Sequence, residues 1–372
     1  MQKSDFLRGI NIEGNDVRDF PEKIVEILKP TSIFWIRVHL LPTRRLDEKS
    51  KNGISYLKGI EYLCKNGYNI LAPIDVGYKS NVGTICYDDL DKFVEESYDR
   101  SYTACKKISE IGKKYDQKII FGIENEIDPK AWILQSLPGI KWRARFETWT
   151  KQALDSKLKY KRLNNILNGA HDANPDAKTM TNIVAEDLRV FFSNFSDELS
   201  KFSTVLDKYS LSIEDLLDKA IDWKKELQHI RDNLDVDFIG LDNYANWVLK
   251  YPVYGNEIGM KVDEAKKITS KPVINAEFGY TTYRTFFGNF LFMLLGRPSA
   301  SKMQLEFFQN SLQSIKKSSS VGTFPWVLFS HPHIPATPQQ ESYFGLIKMN
   351  KNGILQKEPV WKYYIKWLQT VN

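Results

Sequence analysis

Short apolar runs rich in isoleucine and valine alternate along the chain with longer stretches whose apolar residues recur at a helical period. Several of the short runs are apolar at consecutive positions rather than at alternate ones, which is typical of strands that are covered on both faces. The pattern therefore predicts buried parallel strands separated by helices. Eight strands are predicted, at residues 6–12, 33–40, 69–76, 118–123, 179–184, 238–244, 272–278 and 322–329.

Between these strands, the helical period predicts amphipathic helices. The clearest covers residues 89–114, where Leu90, Val94, Cys105 and Ile108 lie on one face. Eight strands that alternate with helices predict an α/β fold, the (β/α)8 TIM barrel, formed by a single domain over residues 1–372. The other predicted helices are at residues 55–65, 147–158, 213–233, 262–268, 303–318 and 359–371.

A doubly wound sheet is the main alternative architecture for alternating strands and helices. When such a sheet binds nucleotides, it usually carries a glycine-rich phosphate turn. The sequence contains neither GxGxxG nor GxxxxGK[ST], so the barrel is the predicted architecture.

Composition and charge narrow the class of protein. The chain of 372 residues is 42% hydrophobic and 26% charged, which is ordinary for a globular protein. Its net charge of +6 is spread along the chain, and no compact block of lysine and arginine indicates a nucleic-acid partner. No run reaches the roughly 18 apolar residues of a membrane helix, and the first residues lack an apolar signal core. We therefore expect a cytoplasmic protein with no membrane partner and no nucleic-acid partner.

The cysteines and carboxylates do not form a recognisable metal site. Cys64, Cys86 and Cys105 are far apart and odd in number, which fits neither a disulfide scaffold nor a zinc site. Carboxylates at strand ends, such as Asp75 and Asp242, have no histidine-rich spacing around them. No metal and no cofactor is therefore expected.

Two glutamates lie at the positions where a barrel places its chemistry. The carboxyl ends of barrel strands meet at one mouth, where active sites are built. Glu126 comes directly after the fourth predicted strand and Glu277 lies at the end of the seventh. A carboxyl pair about 5–5.5 Å apart suits glycoside hydrolysis with retention, and a gap of about 6.5–9.5 Å suits inversion. The sequence leaves that gap open.

The residues around these glutamates resemble clan A of the glycoside hydrolases. The pair Asn125-Glu126 is similar to the Asn-Glu pair that ends strand four in that clan, and Glu277 in "INAEFGY" looks like the nucleophile that ends strand seven. Further matches to the clan are Arg37 in "IRVHL" on strand two, Tyr244 in "GLDNYANW" on strand six and Trp326 in "TFPWVLF" on strand eight.

The resemblance covers nearly the whole barrel and departs from the common pattern at two points. The usual Asn-Glu-Pro is here Asn-Glu-Ile-Asp-Pro, with Pro129 displaced. The His-x-Tyr often found on strand six reads Asp242-Asn243-Tyr244. The resemblance therefore implies the clan and no particular family within it.

What the resemblance implies is a retaining β-glycosidase with a two-carboxylate mechanism. Glu126 would be the general acid and then the base, and Glu277 the ionised nucleophile. Arg37 would favour the charged form of Glu277, and Tyr244 would donate a hydrogen bond to it. Trp326 would offer a flat apolar face to a sugar ring.

Two further residues are expected to contact the carbohydrate. Asn125 is placed to hydrogen-bond the sugar 2-hydroxyl, a contact that strengthens in the transition state. His39, at the end of strand two, could bind sugar hydroxyls. The expected substrate is a β-linked glucan, mannan, galactan or oligosaccharide, and the oligomeric state is not predicted.

Two other function classes stay open. A barrel that binds carbohydrate without hydrolysing it would not need both glutamates. A metal-dependent sugar isomerase or lyase on the same fold would be inhibited by a chelator. Glu124 also has two possible roles: on a regular strand it faces the same side as Glu126 and helps to hold it protonated, or it pairs with a lysine or arginine.

Overall fold

The barrel is built from eight parallel strands. The computed structural model describes residues 6–39, 41–51, 53–76, 90–125, 156–185, 222–244, 255–283, 298–333 and 342–371. Each strand pairs in parallel with the next one along the chain, and the last pairs with the first, so the sheet closes. This closed sheet confirms the predicted (β/α)8 TIM barrel. The strands are β1 (Leu7–Glu13), β2 (Trp35–His39), β3 (Asn69–Asp75), β4 (Ile119–Ile123), β5 (Lys178–Val184), β6 (Phe238–Tyr244), β7 (Val273–Gly279) and β8 (Gly322–Pro325).

Helices surround the barrel and cover its outer face. Three of them begin at a side chain that accepts a hydrogen bond from the first turn: Ser55, Asp222 and Ser299. The helices of the described part are α1 (Gly14–Asp19), α2 (Pro21–Leu28), α3 (Tyr56–Lys65), α4 (Leu90–Lys114), α5 (Ser156–Ala173), α6 (Trp223–Asn233), α7 (Glu257–Thr269), α8 (Ala300–Lys317) and α9 (Pro359–Leu368).

The first seven strands lie within two residues of their predicted bounds, whereas the eighth prediction is wrong in extent. The run at residues 322–329 reads as one strand, yet β8 ends at Pro325. Beyond that point Trp326 N and Leu328 N still donate to barrel strands, at Phe278 O and Asn11 O, but Val327 O accepts from Leu346 N. From Phe329 the chain pairs in a second sheet. That small sheet contains β9 (Phe329–Ser330), β10 (Ile347–Met349) and β11 (Leu355–Lys357).

The helix predictions fail around α5. The helix predicted at residues 147–158 overlaps only the start of Ser156–Ala173, and residues 147–155 lie outside the described residues. The buried face of α5 consists of Leu163, Ile166, Leu167 and Ala170, which do follow a helical period. Three asparagines and a glycine between them have low helix propensity, so the sequence signal is weak there.

The barrel interior has an apolar layer and a polar layer. Outward-facing strand residues, mostly isoleucine and valine, pack against the helices. Inside the barrel, the apolar layer contains Trp35, Leu71, Ile120, Met180, Ile274 and Phe324. Nearer the carboxyl ends of the strands, the inward positions become polar and stay buried: Asn11, Arg37, Asn182, Asp242 and Glu277. The change from apolar to polar marks the mouth of the barrel as the candidate site.

Two further features bear on the class of protein. No helix in the part of the chain that the structure describes is both long and apolar enough to cross a membrane. Cys64 and Cys105 are buried free cysteines, and burial raises the pKa of each thiol to about 12. Cys86 lies outside the described residues.

Candidate active site

Glu277 lies at the centre of the polar layer. It belongs to β7, and only 2% of its surface is exposed. Arg37 Nη1 donates to Glu277 Oε1 at 2.6 Å, and the Tyr244 hydroxyl donates to Oε2. His39 Nδ1 lies 3.5 Å from Oε1. The structure thus brings Glu277 together with Arg37 and Tyr244, as the sequence predicts, and also with His39, which was expected to bind sugar hydroxyls.

These neighbours keep Glu277 ionised despite its burial. Burial alone would raise the pKa of this carboxyl, because a charge is poorly solvated inside the protein. The charge of Arg37, the contact with His39 and the Tyr244 hydrogen bond outweigh it and lower the pKa from its ordinary 4.5 to about 2. Glu277 is therefore a desolvated carboxylate at neutral pH, with both oxygens held.

A β-bulge in β7 turns Glu277 toward the barrel interior. In the pairing with β6, Leu241 is opposite Asn275 and the next residue, Asp242, is opposite Glu277, so Ala276 is an extra residue. The pairing with β8 shows the same irregularity between Asn275 and Phe278. Ala276 and Glu277 consequently both face inward, although strict alternation would place consecutive residues on opposite faces.

Asn11 on β1 holds this bulge, and the sequence analysis gave it no role in the site. Its Nδ2 donates to the carbonyl of Ala276 at 2.8 Å and to that of Phe324 at 2.8 Å. Its Oδ1 accepts from Arg37 Nη1 at 2.7 Å. The signal that could have found it is its place among the strand-end polar residues, two positions before the end of β1.

Arg37 connects the two sides of the site. It is fully buried on β2, where its Nη1 serves Glu277 and Asn11. Its Nη2 donates to Asn125 Oδ1 at 2.5 Å, beyond the end of β4. A guanidinium has donors only, in a rigid planar fork, so it fixes the relative positions of its acceptors.

Asn125 faces the interior together with Arg37. Its Oδ1 also accepts from Asn182 Nδ2 at 2.9 Å. Because both partners are donors, the oxygen of the Asn125 amide must be the atom that they share. Its Nδ2 makes no hydrogen bond to any residue that the structure describes, and the side chain is half-buried.

Glu124 does not face the mouth, which is where regular alternation would put it. Its backbone has a φ of 58°, in the left-handed region that non-glycine residues rarely occupy. Its Oε2 pairs with Arg162 Nη2 at 2.7 Å, and Arg162 belongs to α5 on the outside of the barrel. Of the two roles left open by the sequence, pairing with a basic residue is the one observed.

Trp326 lies directly after β8 and packs against other aromatic rings. Its ring is edge-on to His39, with centroids 4.3 Å apart, and it clusters with Tyr244 and Phe344. Only 4% of Trp326 is exposed. The structure therefore places it beside the site, and its role as a sugar platform stays a prediction.

A second group of titratable side chains lies next to the site and contains Glu13, Asp16 and His331. Glu13 ends β1 opposite His39, and burial raises the pKa of its carboxyl. The nearby Asp16 carboxylate binds His331 Nε2 at 2.9 and 3.1 Å through its two oxygens. Asp16 raises the pKa of His331 against the opposite effect of burial, which is the larger single influence.

Glu126, the predicted acid and base, lies outside the described residues. Its distance from Glu277 would separate retention from inversion, and the retaining mechanism therefore stays a prediction. Among the residues that the structure does describe, no group of three histidine, cysteine, aspartate or glutamate side chains is arranged to hold a metal ion.

Comparison with known proteins identifies the fold. No family model matches the chain, and no curated protein matches it. Among solved structures, it is similar to the β-glycosidase BGL167, with a TM-score of 0.61 and 10% identity over 98% of this chain and 96% of that one.

Two further solved structures cover the barrel almost completely. The GH53 catalytic domain of Ignisphaera aggregans matches with a TM-score of 0.53 and 18% identity, over 97% of this chain and 95% of that one. A fungal β-1,4-galactanase matches with a TM-score of 0.54 and 14% identity, over 96% and 99%. Four other matched chains are longer, and this chain covers 49% to 59% of them. At these identities the likeness shows the barrel fold.

Proposed function

We propose that this protein is a retaining glycoside hydrolase that cleaves β-glycosidic bonds, with Glu277 as the nucleophile and Glu126 as the general acid and base. The observation that carries the proposal is that Glu277 is both buried and ionised. A desolvated carboxylate whose pKa is lowered to about 2 is ionised at any working pH. Such a group suits attack on an anomeric carbon, because no proton has to leave it first.

The reaction would proceed in two displacements. An oxygen of Glu277 attacks the anomeric carbon, the glycosidic bond breaks, and Glu126 gives its proton to the leaving oxygen. The product is a glycosyl ester on Glu277. Glu126, now ionised, takes a proton from water, the water oxygen attacks the same carbon, and the ester bond to Glu277 breaks. Two inversions at that carbon give overall retention.

The residues around Glu277 have roles that fit this sequence. Arg37 and Tyr244 hold its oxygens in place and stabilise the carboxylate that departs in the second step. Asn125 would donate its amide hydrogens to the 2-hydroxyl of the sugar, where hydrogen bonds strengthen in the transition state. His39, next to Glu277 and Trp326, would contact other hydroxyls of the same sugar.

The structural neighbours support the class of reaction. Those with nearly complete overlap are, by their names, a β-glycosidase, a GH53 catalytic domain and a β-1,4-galactanase. We therefore propose a β-linked glucan, mannan, galactan or oligosaccharide as the substrate class. No cofactor is required for a two-carboxylate mechanism.

The test is a panel of aryl β-glycosides and β-linked polysaccharides, assayed with wild type and Glu277→Gln. Wild type should cleave at least one substrate, and Glu277→Gln should lose roughly 10⁴-fold or more in kcat, the scale for losing a nucleophile. Azide should restore turnover of Glu277→Ala on a substrate with a good leaving group. The matched control is Glu358→Gln: Glu358 is equally buried and pairs with Lys348 away from the mouth.

Two outcomes would reject the proposal. Either wild type cleaves nothing in the panel, or Glu277→Gln retains the activity of Glu358→Gln. NMR of the first product would show whether the anomeric configuration is retained. Glu126→Ala should keep kcat/KM, which reports the first displacement, on substrates whose leaving group needs no proton, and lose it on alkyl glycosides.

A further inference from the structure

The strand that precedes Asn125 ends in an unusual way. On β4, Ile120 faces the barrel interior while Phe121 and Ile123 face the helices. Continued alternation would turn Glu124 inward and Asn125 outward. The structure shows the opposite, since Glu124 reaches α5 and Asn125 reaches Arg37 inside the barrel.

The left-handed residue Glu124 produces this reversal. A φ of 58° swings the chain so that the next side chain falls on the inner face. Side chains with a Cβ disfavour this conformation, and it persists only where the surroundings hold it. Glycine would adopt it without strain, but the residue here is glutamate.

The Arg162 side chain supplies the restraint. It belongs to α5, and helix α5 packs against both α4 and β4. The ion pair of 2.7 Å between Glu124 and Arg162 is shielded, with 14% and 12% of the two side chains exposed. A shielded, charge-assisted contact of this length holds Glu124 on the outer side of the strand.

We propose that the Glu124–Arg162 ion pair is a positioning device that holds the left-handed turn after β4 and so directs Asn125 into the barrel mouth. The structural part of this proposal is independent of the proposed glycosidase activity. The catalytic part rests on the proposed activity, because Asn125 would donate a hydrogen bond to a sugar only if the protein binds one. Glu124 and Arg162 themselves touch no reacting atom.

The first experiment is structural and needs no activity. A crystal structure of Arg162→Gln is expected to show Asn125 Oδ1 beyond hydrogen-bond distance of both Arg37 and Asn182. If both contacts persist at the wild-type distances, the proposal is overturned. Arg162→Lys keeps the charge and should retain both contacts, so it serves as the conservative variant.

The second experiment compares Glu124→Ala with Glu124→Gly. Both variants remove the carboxylate, but only glycine accepts the left-handed conformation freely. If the pair serves to hold the turn, kcat of Glu124→Gly should stay within a few-fold of wild type, while Glu124→Ala falls roughly 100-fold, the scale of a 1 Å misplacement. Equal losses in the two variants would mean that the charge of Glu124 matters, and would overturn the proposal.

A double-mutant cycle tests whether the effect passes through Asn125. Once Glu124→Ala has displaced that side chain, adding Asn125→Ala should cost little more in kcat. Additive losses would contradict the proposal. A merely structural role would shift the melting temperature and leave the two kinetic effects additive.

The matched control is a second shielded ion pair on the same helix. Lys159 pairs with Glu226 of α6, with 7% and 11% of the two side chains exposed, away from the end of β4. Lys159→Gln should lower the melting temperature comparably to Arg162→Gln without lowering kcat. If wild type shows no glycosidase activity at all, the proposed function fails, while the crystal structure still decides the positioning role.

Discussion

The carboxyl ends of β4 and β7 both depart from the alternation of a regular strand, and they do so by different means. In β7 the device is a bulge inside the sheet, where Ala276 is an extra residue between two hydrogen-bonded neighbours. In β4 it is one left-handed residue, Glu124, directly after the last paired position. Each change brings inward a side chain that would otherwise face the helices.

The two devices are held by different parts of the molecule. The bulge is fixed from inside the barrel, because Asn11 binds the Ala276 carbonyl. The turn after β4 is fixed from outside, by Arg162 of α5. Arg37 connects the two inward-facing side chains, since it donates both to Glu277 and to Asn125. We infer that the β7 side is held from within the barrel core, whereas the β4 side is also held from outside, by a contact with helix α5.

The largest effect on stability is expected from replacing Arg37, because this removes contacts on both the β7 side and the β4 side at once. Arg37→Met leaves the Glu277 carboxylate buried without its cation and takes a donor from Asn11 and Asn125. Losing one partner of a buried pair costs about 3–5 kcal/mol. Chemical denaturation would measure the free energy of unfolding.

The control for that change is Arg231→Met, which removes an exposed pair with Asp232 and should alter stability far less. Similar losses in the two variants would show that the buried network does not hold the site together.

The next effect concerns the β7 side and pH. Because the folded pKa of Glu277 is about 2 against an ordinary 4.5, its ionised form stabilises the fold fully above pH 4.5. That contribution is lost as the pH falls from 4.5 toward 2 and amounts to about 3 kcal/mol at about 1.4 kcal/mol per unit. Wild type should therefore lose stability relative to Glu277→Gln over this range. A constant difference between the two denaturation curves would refute the assignment of an ionised Glu277.

A smaller effect is expected from replacing either of two asparagines, Asn11 on the β7 side of the site and Asn125 on the β4 side. Asn11→Ala removes the donor to two buried carbonyls, those of Ala276 and Phe324, which costs about 1–3 kcal/mol in stability. Asn125→Ala acts at a half-buried position and should lower kcat/KM with less loss of stability. Melting temperature and kcat/KM measured on both variants would sharpen the comparison. The reverse ranking in stability would contradict it.

An effect on stability of similar size tests the packing beside the bulge. A Cβ on Gly240 of β6 would lie 2.6 Å from Asn182 Cβ and 3.0 Å from Ala276 Cβ. Gly240→Ala should therefore destabilise by about 1–3 kcal/mol, the usual cost of overpacking. Adding Ala276→Gly removes one of the two clashes and should recover part of the loss, as thermal denaturation would show. If stability is not recovered, Ala276 of the bulge does not limit the space at Gly240.

Much of the barrel could be predicted from the sequence. Consecutive isoleucine and valine residues mark strands buried on both faces, and seven of the eight predicted strands agree closely with the structure. The eighth predicted strand was too long, because an apolar run indicates only that residues are buried. It does not indicate which strand their backbone pairs with. The residues after Pro325 are as buried as those before it, but the regular pairing in the barrel ends there and Phe329–Ser330 pair in another sheet.

Some residues of the candidate site could also be predicted from the sequence. Arg37 and Tyr244 were expected to be neighbours of Glu277, and the structure brings them into contact with it. It also places His39, which was expected to bind sugar hydroxyls, beside Glu277. Their roles in a reaction stay predictions, and Glu126 lies outside the described residues. Asn11 was missed as a partner because its function is to bind a carbonyl, and no local pattern marks a distant backbone group.

The sequence by itself determined the period of the strands, the ends at which polar side chains gather, and the chemistry available there. Only the tertiary structure decided which face those side chains take at the ends of β4 and β7. A rule of alternation placed Glu124 in the mouth, yet it lies outside, paired with Arg162. The reason is physical: a bulge or a left-handed residue is stabilised by contacts with distant residues, Asn11 in one case and Arg162 in the other.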